Sequence, residues 1–119
     1  MSRALPEHCS LSDASLDGGT PVVQVRGELD LLAAPKLSRR LLDATSEPGG
    51  DVVLDLSETT FVDSTTLGVL VGTARRLARH GARLVVVTTH PNIVRIIELT
   101  GLHRVFTVVG SRDQAQTCL

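Results

Sequence analysis

The chain has 119 residues, 42% of them hydrophobic and 21% charged, and a formal net charge of -1. This length allows one domain with a substantial core, and near-neutral charge with only two aromatics, Phe61 and Phe106, argues against a nucleic-acid surface. No apolar run reaches the roughly 18 to 20 residues needed to cross a bilayer, and residues 1–9 lack an apolar leader core, so the chain is expected in the cytoplasm without membrane contact.

Residues 8–16 run into the turn Asp17-Gly18-Gly19 and then into Val22-Val23-Gln24-Val25-Arg26, which predicts an N-terminal hairpin. After Gly27-Glu28-Leu29-Asp30, Pro35 suits a first helical turn. Leu37, Leu41 and Leu42 then recur at helical spacing up to the breaker Glu47-Pro48-Gly49-Gly50. Val52-Val53-Leu54-Asp55-Leu56 predicts a strand. A second helix follows, with Leu67, Leu70, Val71, Ala74, Leu77 and Ala78 along one face and Gly81 as its stop. Arg75, Arg76, Arg79 and His80 crowd its last turns, where cations favour the helix dipole, so their expected role is structural. Leu84-Val85-Val86-Val87 predicts a buried strand and Pro91 opens a helix with Ile93, Ile96, Ile97 and Leu99, stopped by Gly101. A last strand is expected over residues 105–109 and a short helix within 113–119. Alternation of strands and helices after a hairpin predicts a single α/β domain with a mixed sheet of about four to six strands and three to four helices.

Several chemistries are missing. The context Val62-Asp63-Ser64-Thr65-Thr66 is not a G-x-S-x-G elbow, and no G-x-x-x-x-G-K-[ST] loop is present. His8, His80, His90 and His103 form no H-E-x-x-H pair, so no metal is expected and the histidines read as surface or capping residues. Cys9 and Cys118 lack metal-ligand spacing and read as reduced thiols. Asp30, Asp55 and Asp63 include residues at strand ends and helix starts, where carboxylates are common for structural reasons. No acid/base pair is assigned to them.

Asp63-Ser64-Thr65-Thr66 places one carboxylate and three hydroxyls directly before the apolar stripe that begins at Leu67, where a helix start leaves backbone N–H groups in need of acceptors. A plain N-cap accounts for this composition. A phosphoacceptor at the same place would also be chemically effective, because about two negative charges would be added beside Asp63.

Taken in order, Gly27-Glu28-Leu29-Asp30, Val53-Leu54-Asp55-Leu56, Phe61-Val62-Asp63-Ser64-Thr65-Thr66-Leu67-Gly68 and Leu99-Thr100-Gly101-Leu102 with Phe106 resemble a STAS-domain anti-sigma factor antagonist, over residues 22–109. The resemblance implies a STAS fold occupying residues 1–119, with its core at about 20–110. It further implies partner switching without catalysis or cofactor: the unphosphorylated protein binds an anti-sigma factor that is also a serine kinase, and phosphorylation ends the contact. A serine phosphatase would reverse it. The acceptor falls on Ser64, with Thr65 and Thr66 as alternatives, and the partner surface on Asp30, Asp63, Ser64, Thr65, Thr66 and Leu67. Thr66 stands where the family usually has Gly. The competing expectation is a small-molecule or nucleotide module using the crevice near Asp30 and the Ser64 helix start.

Overall fold

The computed structural model describes residues 9–45 and 50–119. Five strands form one sheet in the order β1-β2-β3-β4-β5: β1 (Cys9–Ser15), β2 (Pro21–Leu29), β3 (Val52–Val62), β4 (Leu84–Val87) and β5 (Thr107–Val109). The β1–β2 pair is antiparallel, as a hairpin must be, and the other three pairs are parallel. Four α-helices follow strands: α1 (Ala34–Ala44), α2 (Ser64–Ala78), α3 (Pro91–Leu99) and α4 (Arg112–Cys118). This is the mixed sheet expected from the residue pattern. His8 and the breaker Glu47-Pro48-Gly49 lie outside the described residues.

Alternation along the strands divides the core in two. Val23, Val25, Leu54, Leu56, Leu84 and Val86 point to the face covered by α1, α2 and α3, whereas Val22, Val53, Val85 and Val87 point to the face covered by α4. The central strands are therefore apolar on both sides, which is why their sequences read as continuous runs.

Two boundaries and two buried positions differ from expectation. β3 continues to Val62 through the polar residues Ser57-Glu58-Thr59-Thr60, because β2 pairs with it to the end, Leu29 opposite Val62, with register shifts between Gln24 and Arg26 and between Gly27 and Glu28. The Thr59 hydroxyl satisfies itself by donating to the Val25 carbonyl at 2.9 Å, and Arg26 pairs with Glu58 at 3.2 Å. The last strand begins at Thr107, since Gly101 at φ 73° turns the chain into a short 3-10 segment, Leu102–Arg104, that leaves Val105 exposed. Leu42 and Leu99, expected on buried helix faces, are also exposed, leaving Leu37 and Leu41, and Ile93 and Ile97, as the packing residues.

Candidate functional site

Because Leu29 and Val62 are register partners at the ends of parallel strands, the residues that follow them, Asp30 and Asp63, emerge at the same edge of the sheet. Two bonds tie these exits together. The Leu29 carbonyl accepts from the Asp63 N–H and from the Thr66 hydroxyl, both at 3.1 Å. Asp63 is extended and acts as the N-cap of α2, its Oδ1 accepting from the Thr66 N–H at 2.8 Å. Ser64 is thus the first helical residue rather than the cap. Its side chain is exposed, as is that of Thr65.

The three hydroxyls expected as one cluster are separated by burial. Helical residues turn by about 100° each, so Thr66 is carried to the inner face and is 0% exposed, with its hydroxyl spent on the Leu29 carbonyl. Thr66, expected as an alternative acceptor and partner contact, is thus enclosed in this fold, whereas Ser64 and Thr65 are exposed. Leu67 is half-buried and packs against the main core. Asp30 folds its carboxylate back, with Oδ1 accepting from the Leu32 and Ala33 N–H groups at 3.0 and 3.2 Å. That turn holds Leu31 and Leu32 outward at 64% and 75% exposure. Phe61, on the strand just before the site, is 47% exposed. No residue pattern marks these three as exposed, since Leu and Phe are most often buried and their exposure here follows from where the sheet and helices lie.

The other candidates disperse. Asp55 is buried and receives the Ser57 N–H at 2.9 Å and the Arg112 Nε at 2.6 Å, so it serves α4 rather than a carboxylate pair. Burial alone would raise its pKa, but the hydrogen bonds from Ser57 and the Arg112 charge outweigh it and hold the carboxyl below its ordinary value. His90 caps α3, its Nδ1 accepting from the Asn92 N–H at 3.3 Å, while His80 and His103 lie at the surface. Among the described residues no three His, Cys, Asp or Glu side chains gather as a metal-ligand set.

The family model described as STAS domain matches residues 13–115. The chain belongs to the STAS domain family. This STAS domain is 31% identical over 91 residues to an anti-sigma-B factor antagonist of Bacillus subtilis, covering 76% of this chain and 83% of that protein. It is 35% identical over 80 residues to an anti-sigma-B factor antagonist of Staphylococcus epidermidis, covering 67% and 74% respectively. Its structure superposes on that of an anti-sigma factor antagonist from Mycobacterium paratuberculosis with a TM-score of 0.84 and 30% identity, over 98% of this chain and 97% of the other.

Proposed function

We propose that this STAS domain is an anti-sigma factor antagonist operated by phosphorylation of Ser64. Unphosphorylated, it binds an anti-sigma factor with serine kinase activity and so frees a sigma factor; phosphate on Ser64 ends the contact, and a serine phosphatase restores it. The observation that carries the reading is the position of Ser64, exposed at the first residue of α2 beside the exposed pair Leu31 and Leu32, in a chain whose relatives bear that name.

The energetics suit a switch that acts on a partner and not on the fold. The helix dipole would stabilise a phosphate by about 0.3 to 1 kcal/mol, whereas repulsion from the Asp63 carboxylate at about 5 Å would amount to roughly 2 kcal/mol in water. An apolar partner surface covering Leu31, Leu32 and Ser64 would instead have to desolvate a dianion. A loss of about 3 kcal/mol there weakens binding roughly 100-fold. The domain needs no catalytic group or cofactor for this role. The small-molecule reading has less support, since among the described residues the cavities of about 550, 520, 380 and 140 Å³ are lined by residues other than Asp30 and Ser64, Pro35 and Arg39 among them in the first and Ala78 and Arg104 in the last.

Paired pull-downs from native lysate with wild-type and Ser64→Asp protein provide the test. Wild type should capture a kinase-type anti-sigma factor and Ser64→Asp should not. Ser64→Ala should bind but take up no phosphate by mass spectrometry; phosphate incorporated equally into Ser64→Ala sinks the assignment and moves it to Thr65.

A further inference from the structure

α2 starts at the sheet edge that carries Ser64 and runs back across the sheet for 15 residues, about 22 Å. Its last turns therefore lie at the opposite edge, together with Arg83, which precedes β4, and with the 3-10 segment that precedes β5. Arg75, Arg79, His80, Arg83, His103 and Arg104 are all exposed there. The helix dipole explains Arg75, and Arg76 is held by the Thr45 hydroxyl at 3.0 Å. It does not explain why Arg83, His103 and Arg104, from two other segments, line one cavity with Ala74, Ala78 and Ala82. Arg83 already has partners, its guanidinium donating to the Cys118 carbonyl at 2.8 Å and lying 4.0 Å from Asp51. Arg75, Arg79 and Arg104 make no ion pair among the described residues.

The cavity is a notch of about 140 Å³ between α2 and the 3-10 segment, with the buried Phe106 and the half-exposed Val105 beside the three alanines. A notch of this size takes one aliphatic side chain, and Arg104 and His103 stand on its lining. We propose that this pole is a docking surface for an acidic polypeptide segment that places one apolar residue in the notch and carboxylates on the unpaired Arg104 and on Arg79, the residue after the notch-lining Ala78. Arginine suits such an interface because its planar fork pairs carboxylates bidentately and is weakly hydrated. A nucleic acid fits less well: the charges occupy one helix end and two turns and not a continuous track, no exposed aromatic ring accompanies them, and the chain as a whole carries a net charge of -1. The surface is distinct from the Ser64 edge, so a partner could hold this pole while the switch changes state.

The test uses the full chain and a short fluorescein-labelled peptide of glutamates around a single leucine, followed by fluorescence anisotropy. Saturable binding is expected at about 50 mM salt, weakened about tenfold at about 300 mM as screening shortens the reach of exposed charges. The double reversal Arg79→Glu with Arg104→Glu should abolish it, and replacing the peptide's leucine by serine should weaken it. Ala78→Glu, which puts a carboxylate into the notch without removing an arginine, gives a second disruption should the double variant melt early by circular dichroism. Absence of saturable binding, equal binding by both disrupted proteins, or tighter binding of duplex DNA overturns the proposal. No anti-sigma factor or kinase enters the measurement, so its outcome is independent of the switch.

Discussion

The Leu29 carbonyl is the smallest unit on which the site depends, because it accepts from both the Asp63 amide and the Thr66 hydroxyl and so joins the end of β2 to the start of α2. Thr66→Val keeps the shape but removes the buried donor, and should lower stability by about 1 to 2 kcal/mol in urea denaturation, with Thr66→Ser recovering most of it. Asp63→Ala removes the cap of α2 and should cost about 1 kcal/mol by the same measurement. Ser64→Ala, at an exposed first helical position, should stay within about 0.5 kcal/mol of wild type. Residue types alone made the cap region readable, since a carboxylate and three hydroxyls before an apolar stripe have few other uses. They did not say which hydroxyl faces inward. That depends on where the sheet lies relative to the first turn of α2, and the sequence assigned Thr66 to the surface for lack of it.

Among the elements, α4 is held at each end by an arginine, with the Arg83 guanidinium donating to the Cys118 carbonyl at 2.8 Å at its C-terminal end. Arg112, its first residue, donates to the buried Asp55 at 2.6 Å, and Ala115 is its buried apolar residue. Arg112→Ala leaves the Asp55 carboxylate with the Ser57 N–H at the same depth, and should destabilise the domain by about 2 kcal/mol at neutral pH. The pH dependence follows from the direction of the Asp55 shift. A carboxyl lowered by folding adds stability that is fully present above the ordinary carboxylate range and is lost as pH falls through the lowered value. Acid titrations followed by circular dichroism should accordingly show Arg112→Ala unfolding at a higher pH than wild type. The short helix at residues 113–119 was legible from composition, but its role was not, because Asp55 and Arg112 are 57 positions apart and only the fold brings them together. The length of β3 was hidden for a related reason: Ser57-Glu58-Thr59-Thr60 has little apolar patterning, and its strand character comes from pairing with β2.

At the scale of the whole molecule, a switch that acts on a partner requires a domain that tolerates the charge. Ser64→Asp should melt within a few degrees of wild type, because its carboxylate is solvated at an exposed helix start. Leu70→Ala, on the buried face of the same helix, should cost about 2 to 5 kcal/mol. Differential scanning calorimetry of the two variants separates switching from unfolding, and a large drop for Ser64→Asp would contradict the proposed mechanism. The sequence by itself determined the class of fold, the order of its helices and strands, the family and the position of Ser64, because hydrophobic periodicity, glycine and proline punctuation and a contiguous motif are local properties. Only the tertiary structure decided that Thr66 is enclosed, that Asp55 is held by Arg112, that Leu31 and Leu32 stand out beside the site, and that arginines from three segments meet at the far pole. Each of these depends on a backbone turning one face of a segment toward a distant neighbour, and that information belongs to the packed sheet and helices as a whole.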